Sequence, residues 1–196
     1  TEIEAIRRKI GLTQGLPVLG FVGRFSRDKG ANFLLFTRRY LLRRGIDHEI
    51  LFVGTVEDSR RVLARLDAFG RPVKQLGHVR NVEDAYSVMS LLLLPTRREG
   101  FPNVVLEAAA SGVPTVAMRV TGAIDAVVDQ TTGLLADATS PTQFAEVVES
   151  LLADQNKTAT LGAAARKMVV EKYGSEFVMR ETLAFYLKKS GTNEPR

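Results

Sequence analysis

Short, continuously apolar runs of strand length alternate with helix-length segments along almost the whole chain. No other feature of the sequence constrains the fold as strongly. A strand buried on both faces carries apolar residues without interruption, which is the pattern of a parallel sheet covered by helices on either side. The runs are Val18-Leu19-Gly20-Phe21-Val22 before Gly23, Glu49-Ile50-Leu51-Phe52-Val53 before Gly54, and Val73-Lys74-Gln75-Leu76 before Gly77. Leu91 to Leu94, stopped by Pro95, then Pro114 to Met118 and Gly133-Leu134-Leu135 complete them. Helical spacing is expected over 31–44 and 57–69, over 81–89 with Asn81 able to cap, and over 103–111, ended by Gly112. Three more helices are expected at 141–153, 156–172 and 176–188. The expectation is an α/β domain with a doubly wound parallel sheet of about six strands. Ligands of such sheets bind beyond the carboxyl ends of the strands, so chemistry is expected in the loops at 23–30, 77–80, 95–103 and 119–125.

Composition narrows the chemistry. With 45% hydrophobic and 25% charged residues, the chain belongs among ordinary globular proteins and not among disordered ones. The absence of cysteine excludes disulfides, thiolate nucleophiles and Cys-ligated zinc, and two histidines, His48 and His78, are too few for a histidine metal cage. No run approaches the ~18 apolar residues of a membrane span. The chain starts Thr-Glu-Ile-Glu with no initiator Met or signal pattern, so it is expected to be cut from something longer. The domain is expected over 16–190, with an interdomain linker remnant at 1–15 and a tail at 191–196. Residues 1–98 carry 18 Lys and Arg against 10 Asp and Glu, and residues 99–196 carry 9 against 12. A basic first half suits an anionic partner such as a nucleotide, phosphate, nucleic acid or acidic membrane; scattered solvated arginines would give the same count.

Two loops stand out. Gly23-Arg24-Phe25-Ser26-Arg27-Asp28-Lys29-Gly30 follows the first strand. It is neither a G-x4-G-K-[ST] phosphate loop nor a G-x-G-x-x-G fingerprint. Arg24 and Lys29 would nevertheless point two cations over the crevice, where they could neutralise a diphosphate, unless the loop is only a charged turn. In the loop after the fourth expected strand, Glu99-Gly100-Phe101 precedes a helix from Asn103 that carries Glu107. The first-turn amides of that helix, near Asn103, Val104 and Val105, form a natural anion site. The two carboxylates could accept hydrogen bonds from sugar or ribose hydroxyls, or be solvated surface charges. A diphosphate between two polyols is a nucleotide sugar.

Together the loops resemble the nucleotide-sugar-binding half of retaining glycosyltransferases of the GT-B fold, specifically glycosyltransferase family 4. The family's G-R-x-x-x-x-K-G element is matched by Gly23-Arg24 with Lys29-Gly30. Its E-x7-E element is matched by Glu99-Gly100-Phe101 with Leu106-Glu107-Ala108, followed by Gly112-Val113-Pro114. Thr132-Gly133-Leu134-Leu135 resembles its T-G-x-L strand, and the likeness runs from about Val18 to Tyr186. It implies a Rossmann-like domain that is one half of a GT-B fold. Arg24 and Lys29 would hold the donor diphosphate and stabilise the leaving nucleotide. Glu99 would bond donor sugar hydroxyls, and with Arg24 and Lys29 it forms the implied catalytic set. Glu107 would bond ribose, and the amides near Asn103, Val104 and Val105 would meet the distal phosphate. The turn Leu76-Gly77-His78-Val79 matches the loop against which the base packs.

The resemblance also implies no cofactor and no metal beyond the nucleoside diphosphate sugar, with a UDP-sugar favoured over a GDP-sugar. No D-x-D element is present, and Asp58 and Asp67 do not make one. Where the family often has G-G-x-x-E, the chain has Thr121-Gly122-Ala123-Ile124-Asp125, which leaves Asp125 without an assigned role. An N-terminal acceptor-binding domain is the expected partner, absent from this sequence. A membrane-linked acceptor and a cytoplasmic site, at most peripheral to the inner membrane face, are further expectations. Rivals are a nucleotide-sugar epimerase, a non-catalytic binding module, and a basic nucleic-acid or membrane-surface protein. The last is disfavoured because the Arg-rich segment 31–44 shows no aromatic series on its polar side; nucleic acid is not an expected partner.

Overall fold

The structure is a computed structural model, and it describes residues 1–79 and 81–189; the tail at 191–196 lies outside them. Six parallel strands, β1 (Val18–Val22), β2 (Glu49–Val53), β3 (Lys74–Leu76), β4 (Leu91–Leu94), β5 (Thr115–Met118) and β6 (Gly133–Ala136), form one sheet in the order β3-β2-β1-β4-β5-β6. Side chains alternate across it. Leu19, Phe21, Ile50, Phe52, Leu91, Leu93, Val116 and Met118 enter one core layer, while Val18, Leu51, Val53, Leu92, Leu94 and Ala117 enter the other. Every strand of the sheet centre therefore reads as a continuous apolar run, and the doubly wound expectation holds.

The first layer is closed by α2 (Ala31–Arg43), α3 (Arg60–Asp67) and α7 (Pro141–Ala153), through residues such as Leu34, Leu66 and Phe144. The second is closed by α4 (Val82–Ser87), α5 (Asn103–Ala110) and the short α6 (Ala123–Ala126). Next, α8 (Gln155–Tyr173) lies against α5, α7 and β6, and α9 (Ser175–Lys189) follows it.

Three local differences from the sequence pattern have physical causes. Residues 2–10, inside the expected linker, form α1 (Glu2–Ile10), started by a capping box in which Thr1 and Glu4 exchange hydrogen bonds. α3 begins only at Arg60, because residues 55–58 are drawn to the loop after β1. The Phe25 amide donates to the Thr55 carbonyl (2.8 Å), Phe25 and Val56 form an isolated parallel bridge, and the Arg27 amide donates to Asp58 (3.0 Å). Asn81 occupies the N-cap position of α4 but its side chain makes no capping bond.

Candidate functional site

The strand order reverses direction between β1 and β4, so the loops that leave these two strands diverge and open a crevice between them. The two loops are tied together at their base. The Arg97 amide donates to the Asp28 carbonyl (3.0 Å), and the Thr96 hydroxyl reaches the same carbonyl (3.4 Å). Gly30 sits at φ 83° as the N-cap of α2, and a Cβ there would collide with the Pro95 carbonyl. Only glycine satisfies both the backbone conformation and the approach.

Between the loops and the start of α5 lies a cleft of about 270 Å³. Gly23, Arg24 and Lys29 line it from the β1 side, and Glu99, Phe101, Asn103 and Val104 from the β4 side. Lys29 and Glu99, seventy residues apart in sequence, form an ion pair of 2.6 Å, with side chains 23% and 13% exposed. Arg24 is more open, 53% exposed, and pairs with Glu57 at 2.8 Å and with Asp28 at 3.6 Å. The hydrogen bond to Glu57, then its charge, raises the Arg24 pKa above the ordinary arginine value. Asp28 is held below the usual carboxylate range, first by the Ser26 hydroxyl at 2.5 Å. Both cations are thus counterbalanced by carboxylates within the protein.

At the N-terminus of α5, Asn103 and Val104 occupy the first two positions, where a helix offers its amides no carbonyl partner. The Val105 amide differs: it donates to the Pro102 carbonyl at 2.9 Å, so the anion site expected of three amides has two open to the cleft. Gly100 is exposed and does not line the cleft, but its carbonyl and that of Glu99 abut Gly122, where a Cβ would collide. Gly122, at φ 82° before α6, is the one glycine kept from the G-G-x-x-E pattern, and its bare Cα lets the Glu99 loop settle. Asp125 is exposed.

Glu107 does not line the cleft. It stands exposed on α5, and its Oε2 accepts the Tyr86 hydroxyl of α4 at 2.8 Å. Burial, then this bond, pushes the Tyr86 hydroxyl pKa far up. His78 is exposed, and Val79 lines a separate cavity of about 440 Å³ with Ile6, Ile10, Leu76 and Ala85 between α1 and α4. The structure therefore brings Arg24, Lys29, Glu99 and the α5 amides together and leaves Glu107, His78 and Val79 outside their cleft. Glu57 and Tyr86, which hold two of the expected ligand groups, carry no motif in the sequence. Among the described residues no group of three or more His, Cys, Asp or Glu is placed to hold a metal ion, and no helix is long and apolar enough to cross a membrane.

These features define a doubly wound α/β domain with a charged cleft at its topological switch point. The chain belongs to the family described as Glycosyl transferases group 1, whose profile it matches over residues 16–154, and its sheet is that of one Rossmann-like domain of the GT-B type. It is 33% identical over 172 residues to the capsular polysaccharide biosynthesis glycosyltransferase CapM of Staphylococcus aureus, covering 86% of this chain and 45% of that protein. Among solved structures it resembles Anabaena Alr3699/HepE in complex with UDP, with TM-score 0.82 and 22% identity over 96% of this chain and 52% of that one. It also resembles the C-terminal domain of the group 1 glycosyl transferase LpcC from Francisella tularensis, with TM-score 0.73 and 19% identity over 86% of this chain and 93% of that domain. The chain spans about half the length of the curated relatives it matches.

Proposed function

We propose that the chain is the donor-binding, C-terminal half of a retaining, hexosyl-type glycosyltransferase. It would hold a nucleoside diphosphate sugar, UDP-sugar in preference to GDP-sugar, while an N-terminal domain presents the acceptor. The observation that carries the reading is the Lys29–Glu99 pair, 2.6 Å apart at the switch point and beside the first amides of α5. On this reading Lys29 would bind phosphate and Glu99 the sugar hydroxyls of one ligand, which their proximity supports. The UDP complex of the similar Anabaena structure supports the choice of uridine nucleotide. The name of the staphylococcal relative supports polysaccharide biosynthesis; the acceptor on this reading is membrane-linked and met at the cytoplasmic face.

On this reading the bond from the anomeric carbon to the diphosphate oxygen breaks, its electron pair leaves with the nucleotide, and the acceptor hydroxyl oxygen forms the new bond to that carbon while its proton passes to the departing phosphate oxygen. Arg24 and Lys29 take up the growing charge, helped by the Asn103 and Val104 amides. Glu99 fixes the sugar through its hydroxyls, and Glu107 and the 78–79 turn complete the nucleotide site when ribose and base extend beyond the cleft. Calorimetric titration of the chain with UDP, GDP and UDP-glucose tests donor binding. Transfer by the full-length enzyme, with the product's anomeric configuration read by NMR, tests retention. Absence of binding to every nucleotide overturns the donor site, and an inverted product overturns the retaining assignment.

A further inference from the structure

The outward side of α2 carries a basic groove that the donor site does not use. Arg38 turns inward, 1% exposed, and donates to the Arg71 carbonyl. Arg39, Arg43 and Arg44 turn the other way and, with Arg65 of α3, line a groove of about 470 Å³. Arg44 is compensated by Glu149 of α7 at 2.5 Å, which also accepts the Tyr40 hydroxyl at 3.1 Å. Arg39, Arg43 and Arg65 have no ion-pair partner among the described residues. The expectation that segment 31–44 has no aromatic series on its polar side is corrected: Phe36 and Tyr40 lie there among the arginines, and the fold adds Phe69. Phe36 and Tyr40, one helical turn apart, stack with ring centres 6.5 Å apart, and Arg39 lies over Phe69 at 5.0 Å. Phe36 and Phe69 are 38% and 36% exposed.

We propose that this α2–α3 face is a docking surface for anionic phospholipid headgroups. Three uncompensated guanidiniums offer planar forks to phosphodiester oxygens. The partly exposed phenyl rings beside them suit the apolar edge of a membrane interface. A single-stranded nucleic acid fits less well. Base stacking needs open ring faces, whereas Phe36 stacks on Tyr40, Arg44 lies 5.8 Å from the Tyr40 ring and Arg39 covers Phe69. The surface shares no residue with the cleft lining, so it stands or falls separately from donor binding.

The test is sedimentation of the chain with vesicles of phosphatidylcholine alone and of phosphatidylcholine mixed with an equal part of phosphatidylglycerol. Binding is expected only to the anionic vesicles and is weakened by added salt. At about fivefold per arginine, changing Arg39, Arg43 and Arg65 together to Gln lowers the partition coefficient on the order of a hundredfold. UDP affinity and thermal midpoint serve as controls and stay unchanged. Phe36→Ala, a milder change, weakens vesicle binding while leaving its salt dependence in place. Equal binding to both vesicle types, or a triple variant that sediments like the parent, overturns the proposal. So does binding of a single-stranded RNA oligonucleotide that the triple variant loses, with no vesicle binding by the parent.

Discussion

The Lys29–Glu99 pair offers a double-mutant cycle in which folding and ligand binding respond in opposite ways. Exposed ion pairs contribute about 0.2–1 kcal/mol, and breaking a fully buried one costs about 3–5 kcal/mol. At 23% and 13% exposure this pair lies between those limits. Losing either partner should therefore cost roughly 1–2 kcal/mol. For a chain of this size each kcal/mol moves the thermal midpoint by about 2–4 °C, so Lys29→Met and Glu99→Gln should each lower it by roughly 2–8 °C. The double variant should lose less than the sum of the two, because neither group is then left facing a missing partner. UDP binding separates them. Lys29→Met removes a charge-assisted contact of about 1.5–3 kcal/mol, a fall in affinity of roughly 10- to 150-fold. Glu99→Gln frees the cation, so affinity for UDP should hold or rise, up to about fivefold. Calorimetry supplies both numbers from the same samples. Additive melting shifts with unchanged UDP affinity in Lys29→Met would refute the reasoning, leaving the pair an ornament of the loops.

Arg24→Ala should lower UDP affinity by a similar 10- to 150-fold, or about 1.5–3 kcal/mol, in calorimetric titration. Its thermal midpoint should hardly move, since a guanidinium 53% exposed gains little from its pairs with Glu57 and Asp28. Tyr86→Phe removes the hydroxyl that Glu107 accepts, at a cost of about 1 kcal/mol in denaturant titration; Glu107→Gln should weaken UDP and UDP-glucose alike if that carboxylate meets ribose. His48 is fully buried, and burial lowers its pKa below 6.5 against the opposing hydrogen bond of its Nδ1 to the Ile46 carbonyl at 3.0 Å, with smaller contributions from Arg38, which lowers it, and Asp47, which raises it. The unfolded chain then binds a proton that the folded one refuses, so stability should fall as pH drops below about 6.5. Thermal midpoints across that range should flatten in His48→Gln; an equal slope in both proteins would assign the effect to other groups.

The sheet was legible because each central strand is buried on both faces, which forces an unbroken apolar run whatever its neighbours are. Its partners were less so. α3 loses its first turn to a bridge between Phe25 and Val56, a contact that exists only after β1 and β2 have paired. α1 buries no residue fully, though Ile6 and Ile10 pack against the second core layer; its signals, the Thr1–Glu4 capping box and the helical spacing of Ile3, Ile6 and Ile10, are confined to nine residues inside the expected linker. In the site, Arg24, Lys29 and Glu99 could be anticipated because they sit in the loops after β1 and β4, where the topology must open a crevice. Glu57 and Tyr86 could not be. Their bonds to Arg24 and Glu107 span 33 and 21 residues, and nothing in the local sequence marks a carboxylate or a phenol as one that will find such a partner. His78 and Val79 show the converse: a motif position is kept while the fold sets it apart from the cleft.

The pairing of the cleft's charges bears on which ligand it favours. A phosphate that draws Lys29 away from Glu99 leaves that carboxylate, only 13% exposed, in a partly dry site. An uncompensated charge in such a place is costly. Free nucleoside diphosphate has no group on its terminal phosphate to repair the loss. A nucleotide sugar does, because its hydroxyls are donors for a carboxylate that has lost an ammonium. On the proposed function, the same exchange therefore penalises the product and rewards the donor, without any contact that reads the sugar's identity. Arg24 imposes no comparable penalty. Its partners Glu57 and Asp28 are 45% and 55% exposed and are rehydrated when it leaves them. Discrimination between donor and spent nucleotide should thus reside in the Lys29–Glu99 pair, with Arg24 adding affinity to both.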